Sequence, residues 1–478
     1  MDHTTTQAPN RINKPTWWQK LQWVGDPIGY MQTAARQHPD IFAARVVGFG
    51  GSLVFVNHPQ AIQEILTNDA SASARSSSRR SYAAPGNLNG ILSPLLGDYS
   101  VIMLDGDRHR GRRQLLMPPF HGERMRAYGQ LICELTANAF DQLPLNRPFS
   151  ARTVMQEISL DIIMQAVFGI AKGERFQQLK RLLASMSDLF RSPLSSSILF
   201  FPILQQDLGA WSPWGNFVRE RQQINEIIYR EIAERRSHPD SDRIDILSLL
   251  MAARDEAGQP MTDQELRDEL MTLLFAGHET TATAMSWALY WTHRLPNVRE
   301  TLLQELATLG DTPDPIEIFR LPYLTAICNE TLRIHPVAML TFPRVVQNPV
   351  VLLGHHLEPG TTVVGCMYLV HQREDLYPNP QQFRPERFLE RQFSPYEFMP
   401  FGGGARRCIG EALAMYELKL ALFTIFSRYE LVLANAQPEY PRRRGVTLAP
   451  ARGVKMVLKR KRTIPQATKQ PVAATQPD

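Results

Sequence analysis

The chain has 478 residues, 44% hydrophobic and 21% charged, a balance that excludes disordered, collagenous and low-complexity classes. Fifty-two Lys and Arg against 47 Asp and Glu leave a formal charge of +5, too weak and too spread for a nucleic-acid-binding surface, though it favours an acidic partner on some face. Four cysteines (Cys133, Cys328, Cys366 and Cys408) form no CxxC pair and no disulfide framework, which points to a reducing, cytoplasmic setting.

Residues 1–14 lack the pattern of a signal peptide and read as a flexible N-terminus ahead of one body spanning 15–460. Trp17, Trp18 and Trp23, beside Lys14 and Lys20, read first as a packed helix, with a peripheral contact to a membrane surface as the alternative. Residues 41–57 hold two β-branched runs around Gly48-Phe49-Gly50-Gly51, the signature of a hairpin. HPQAIQEIL predicts a helix, and residues 71–100, rich in Ser, Arg, Gly and Asn, read as one long loop. From 107 to 300 the pattern is helical almost throughout. It breaks near Pro193, Pro202 and Pro213, around an apolar loop at 190–214 too short and too interrupted to span a bilayer. Strands return at 343–370 around a Pro359-Gly360 turn. Residues 461–478 are expected to be a disordered tail. No repeat and no linker divides the chain.

Three features carry chemistry. Thr262-Asp263-Gln264-Glu265 is a capping box that should start a helix of roughly 30 residues, about 45 Å long. In its middle stands Ala276-Gly277-His278-Glu279-Thr280-Thr281. Gly277 costs about 1 kcal/mol relative to alanine there, and paired threonines bond back to the helix and bend it. A weakened polar turn in an apolar helix suggests a site. The second feature, Glu330 and Arg333, places opposite charges on one helix face. Taken alone it is common, and if buried it needs a further partner. The third runs from Phe401 through Gly404, Arg406 and Cys408 to Gly410, just before a helical stretch. At average residue frequencies that match arises by chance on the order of once in 10⁵ cysteines, so it is the discriminating one. Its glycines would let backbone approach a large flat ligand, a helix N-terminus would favour a Cys408 thiolate, and Arg406 could pair with an anion.

The order AGHETT, ExxR, Pro385-Glu386-Arg387-Phe388 and FxxGxRxCxG resembles the cytochrome P450 family, and is similar to its bacterial members, over about residues 15–460. The resemblance implies a mainly α fold with a small β region, the triangular prism of that family, as one large domain. It implies haem b (iron protoporphyrin IX), with Cys408 as the proximal thiolate that pushes electron density onto iron. Arg406, His109, Arg113 and Arg344 would be propionate partners, Phe401 would pack beside the thiolate, and Ala276 would leave room over the iron. Glu330, Arg333 and Arg387 would form a buried charge network. Glu279 and Thr280 would be the acid–alcohol pair that delivers two protons to bound O₂.

The implied activity is monooxygenation, one atom of O₂ entering a substrate. No flavin- or cluster-binding segment is seen, so electrons from NAD(P)H are expected through a separate ferredoxin or flavodoxin with its reductase. Arg112, Arg406, Arg407 and Lys419 are expected to form its docking face. The segments the family uses for recognition are apolar here, which predicts a lipophilic substrate, fatty acid or alkane ahead of terpene. Leu95, Val101, Phe200, Ala276, Val337 and Leu340 are expected to line the pocket, and Arg79 or Arg80 is weighed as a carboxylate anchor against the commoner solvated arginine. A monomer is expected. The competing classes, a haem-thiolate isomerase, a peroxygenase or a haem sensor, leave the Glu279–Thr280 pair unexplained.

Overall fold

The computed structural model describes residues 7–48, 51–69, 81–120, 123–169, 173–189, 198, 201, 204–240, 242–310, 313–445 and 447–462. α1 (Thr16–Gly25) and α2 (Pro27–Gln37) meet at Asp26, whose carboxylate accepts the Gly29 N–H at 2.9 Å. The hairpin forms as the sequence predicts: β1 (Ile41–Ala44) and β2 (Leu53–Val56) pair antiparallel, Ile41 opposite Val56. α3 (Pro59–Thr67), β3 (Tyr82–Ala83), α4 (Ser93–Leu96) and α5 (Gly106–Leu116) follow. Then come α6 (Glu123–Asp141), β4 (Pro148–Ser150), α7 (Ala151–Phe168), α8 (Glu174–Leu189), α9 (Pro213–Ser237) and α10 (Ile246–Ala252).

α11 (Asp263–Arg294) is the 32-residue helix the capping box announces: Thr262 Oγ1 accepts the Glu265 N–H at 3.2 Å and Glu265 accepts the Thr262 N–H at 2.9 Å. α12 (Pro296–Leu306), α13 (Pro315–Phe319) and α14 (Pro322–Ile334) lead into β5 (Arg344–Val346), β6 (Val350–Leu352), β7 (His355–Leu357) and β8 (Thr362–Gly365). The chain finishes with α15 (Met367–Val370), α16 (Arg387–Glu390), α17 (Glu411–Arg428), β9 (Tyr429–Leu433), β10 (Pro441–Arg444), β11 (Thr447–Pro450) and β12 (Lys455–Lys461).

α11 runs through the body, buried on nearly every side from Leu266 to Thr292 apart from its polar turn. Trp287 and Leu289 from α11, Leu324 and Ile327 from α14, and Leu420 and Ile425 from α17 share one core. A second core joins Leu116, Phe168, Leu183, Ile228, Leu250 and Leu270 from α5 and α7–α11. Each fully buried Leu, Ile or Phe stabilises by about 1.5–3 kcal/mol. The main sheet, ordered β1-β2-β8-β5-β3, runs β2 parallel to β8 and fixes Arg344 on its inner face.

Three expectations are corrected. Residues 7–14 are folded: Ile12 N–H donates to Ala43 at 3.0 Å and Gln7 bridges His355, so the flexible segment cannot reach Lys14. Residues 81–100 are structured, with β3 paired to β5 and turns around Gly86–Leu92; such short pieces leave no periodicity to read. Residues 429–461 form strands the sequence reading did not assign, and β12 extends to Lys461, one residue into the expected tail. Among the described residues no helix is long and apolar enough to cross a membrane.

Candidate functional site

The loop ahead of α17 is closed by two backbone bonds, Gly402 N–H to Met399 O at 2.9 Å and Cys408 N–H to Phe401 O at 3.0 Å. Gly402 and Gly404 take left-handed backbone, φ +67° and +63°. A side chain on Gly403 would meet Leu66 Cδ1 at 2.7 Å, and one on Gly404 would meet Asp69 Oδ2 at 2.7 Å. These two glycines let the loop pack against α3 and the residues just after it. Cys408 is exposed at the end of the loop, three residues before α17. The low-dielectric protein around it raises its thiol pKa. The Gly410 N–H and the Arg113 and Arg407 guanidiniums oppose that and do not overcome it. A cation bonded at sulfur would supply the remainder.

Beside this loop the structure gathers His109, Arg113, Arg344 and Arg406. Arg344 is buried, pairs with Asp69 at 3.0 Å and donates to Phe342 O and Gly403 O. Arg406 fans onto backbone carbonyls, Ala84 at 2.6 Å, Val101 at 3.0 Å and Leu104 at 2.6 Å, and burial brings its pKa down to about 10. Arg113 donates to Arg407 O at 2.6 Å. His109 is 2% exposed, its Nδ1 has no partner, and burial followed by the fields of Arg406, Arg113 and Arg344 pushes its pKa down to about 3. Of the carboxylates pairing here, Asp69 is buried and Asp105 is an exposed group 3.5 Å from Arg406. The excess positive charge and the orphaned imidazole nitrogen suit the anionic edge of a planar macrocycle. Among the described residues no three His, Cys, Asp or Glu converge as a metal site.

On α11 the polar turn opens an otherwise buried helix. Ala276 is exposed, and Gly277 and Thr280 are half-buried, between the buried Leu274 and Thr281. A methyl on Gly277 would stand 2.9 Å from Ile163, so glycine here lets α7 pack close. Thr280 Oγ1 donates to Ala276 O at 2.6 Å, and Thr281 Oγ1 to Gly277 O at 3.1 Å, the back-bonding expected of the pair. Glu279 turns toward α7, where it pairs with Arg152 and accepts from Gln156 Nε2 at 2.6 Å. The sequence reading missed both partners. Their signal was a basic and an amide residue four apart in a helix otherwise largely buried. His278 is buried, with Nδ1 2.7 Å from Leu274 O and Nε2 3.0 Å from Ser187 of α8.

Glu330, Arg333 and Arg387 form one buried cluster. Arg333 Nε donates to Glu330 at 2.7 Å, Arg387 Nε at 3.1 Å, and the Arg384 N–H at 2.8 Å. The third partner that an isolated ExxR pair needs is thus present.

Other expected residues fall elsewhere. Leu95 is fully buried and Val101 6% exposed, both in the core against α5, so neither presents a lining surface. Val337 and Leu340 are half-buried and Ala276 is open. Phe200, Arg79 and Arg80 lie outside the described residues. The docking face is corrected: Arg112 is buried between Glu265 and Glu269, Arg406 is consumed by carbonyls, and Lys419 Nζ donates to Phe319 O at 2.8 Å. Only Arg407 of the four is exposed, and it pairs with Glu411 at 2.7 Å.

Comparison with known proteins agrees with this geometry. The family model described as Cytochrome P450 matches residues 10–456. The chain is 34% identical over 449 residues to the protein named cytochrome P450 135B1 of Mycobacterium tuberculosis, covering 93% of this chain and 90% of that one. It is 32% identical over 464 residues to cytochrome P450 135A1 of the same organism, covering 97% and 96%. Among solved structures, retinoic acid-bound cyanobacterial CYP120A1 superposes with a TM-score of 0.82 at 23% identity, covering 96% of this chain and 100% of that one. The cytochrome P450DA heme domain gives 0.80 at 21% identity, covering 96% and 98%.

Proposed function

Because the chain belongs to the cytochrome P450 family, a haem-thiolate monooxygenase class, we propose that Cys408 is its axial ligand and that the residues around it serve oxygen insertion into a lipophilic substrate. The observation that carries the reading is Cys408, exposed at the end of a closed loop beside three guanidiniums and a neutral imidazole. A haem bound here would supply the oxygen-activating chemistry. Arg113, Arg344 and His109 would hold its propionates, Arg406 would add positive charge beside them from its carbonyl cradle, and Phe401 packs against the ligand loop. Thr280, on the open stripe of α11, presents a hydroxyl at the oxygen site. Glu279 takes protons from solvent, with Arg152 and Gln156 holding its carboxylate toward α7 between turnovers. This acid–alcohol pair favours a monooxygenase over an isomerase, a peroxygenase or a sensor.

Electrons come from NAD(P)H through a separate ferredoxin or flavodoxin. With Arg112 and Lys419 buried, its docking surface centres on exposed Arg407 and Arg108. The Arg108→Glu/Arg407→Glu double variant is expected to slow reduction and flatten its salt dependence; an unchanged salt dependence would sink that surface. The substrate reading, fatty acid or alkane before terpene, rests on the apolar, half-buried Val337 and Leu340; the retinoic acid bound by cyanobacterial CYP120A1, an isoprenoid carboxylate, supports a lipophilic substrate without favouring either class. Exposed Trp17 and Leu21 on α1 and Trp211, 96% exposed, favour a peripheral lipid contact. The test is the visible spectrum of the purified holoprotein titrated with fatty acids, alkanes and sesquiterpenes. A spin-state change with one class names it. No response to any rejects the lipophilic reading, and folded protein that takes up no haem rejects the function.

A further inference from the structure

The segment 397–399 enters the Cys408 loop, and two buried side chains grip it. Tyr377 Oη donates to Glu397 O at 2.9 Å, and the Met399 N–H donates to His371 Nε2 at 3.0 Å. Arg333 touches both grips. Its guanidinium donates to His371 O at 2.8 Å and lies 5.1 Å from the centre of the Tyr377 ring. Past the grips, Met399 O accepts from Gly402 and Phe401 O from Cys408. An unbroken run of contacts thus leads from the Glu330–Arg333–Arg387 cluster to the cysteine.

His371 itself has no exposed surface and packs against Phe398, ring centres 5.6 Å apart. Accepting at Nε2 requires the neutral ring with its proton on Nδ1, and burial favours that form, pushing the pKa down to about 3. Nδ1 has no hydrogen-bond partner. A buried unpaired N–H is a standing cost that an apolar side chain in this space would avoid. Among the described residues, the bond to Met399 is the compensation in view.

Resting on the reading of Cys408 as thiolate ligand, we propose that His371 is the positioning residue through which the buried charge cluster sets the backbone of the Cys408 loop and holds the sulfur in axial register with the haem. A ring without an acceptor would let 397–399 drift and the sulfur–iron contact lengthen, favouring protonated over ionised sulfur.

The test compares the ferrous carbon monoxide spectra of holoenzyme carrying His371→Phe and His371→Gln, at equal haem content. Phenylalanine keeps the ring and loses the acceptor, while glutamine places Oε1 about where Nε2 stands. Wild type and H371Q are expected to show the thiolate-ligated Soret band. H371F is expected to shift the equilibrium toward the thiol-ligated form by roughly tenfold, as loss of one buried hydrogen bond predicts. An H371F spectrum like wild type, or an H371Q spectrum as displaced as that of H371F, would overturn the proposal, the latter because shape and not the acceptor would then matter. Should H371F fail to fold, Tyr377→Phe removes the neighbouring grip with the ring left in place. It must displace the same equilibrium in the same direction, and no displacement overturns the proposal. Wild type without a thiolate band would overturn the reading of Cys408 itself, and the proposal with it.

Discussion

Glu417 stands in the middle of α17, 2% exposed. Its carboxyl bonds Ser159, its Oε1 has no partner, and burial raises its pKa from 4.5 to about 8. Ser159 Oγ in turn lies 3.4 Å from Gly277 O in the polar turn of α11. A raised folded-state pKa on an acid means that the folded chain binds more protons than the unfolded chain between pH 4.5 and about 8. Stability must therefore fall as pH rises through that window. With about 1.4 kcal/mol per unit, the loss from this group between pH 5 and pH 8 is on the order of 3–4 kcal/mol. That is a large share of the roughly 5–15 kcal/mol by which domains are stable. Glu417→Gln is isosteric, still donates to Ser159, and never ionises. Denaturant unfolding of both proteins at pH 5.5, 6.5 and 7.5 should show the variant gaining about 2–3 kcal/mol relative to wild type across the series. A stability difference that does not change with pH would refute the argument, because a packing effect of the amide carries no proton dependence.

Other outcomes follow from the site. Glu330→Gln leaves two buried guanidiniums short of a counter-charge and should cost about 3–5 kcal/mol in denaturant unfolding; a loss under about 1 kcal/mol would show the cluster to be dispensable. Gly277→Ala should destabilise by about 1–3 kcal/mol despite better helix propensity, since its methyl meets Ile163. Adding Ile163→Ala should recover most of that, and an additive double mutant would disprove the contact. Arg152→Met, read by product formed per electron consumed, should lower coupling several-fold with the haem spectrum unchanged, as Glu279 loses the partner that orients it on α7; full coupling would place Glu279 outside proton delivery. Thermal melts of Gly404→Ala should drop, because the left-handed turn is strained by a side chain and Asp69 blocks its path.

Local chemistry was legible wherever a short stretch decides its own geometry. Thr262 and Glu265 announce the start of α11 because both halves of the cap lie within four residues. Phe401 to Gly410 announces the cysteine loop because its turn closes on itself. Partners brought from far along the chain were not legible. Arg152 is 127 residues from Glu279, and nothing local marks it as that acid's counter-ion. Arg112 and Lys419 read as surface charges because most such residues are. Their burial depends on Glu265, Glu269 and a carbonyl at Phe319 arriving from other helices. That the glycines of the cysteine loop also accommodate α3 was not legible, because α3 lies more than 300 residues earlier.

The sequence by itself therefore determined the family, the cysteine loop, the long helix and its polar turn, since each is written in adjacent residues with strong steric or capping preferences. Tertiary structure decided which charges are buried, where Glu279 points, and how the cysteine loop is held. Those are properties of desolvation and distance, and both are set only once α3, α7, α11 and α17 are packed together.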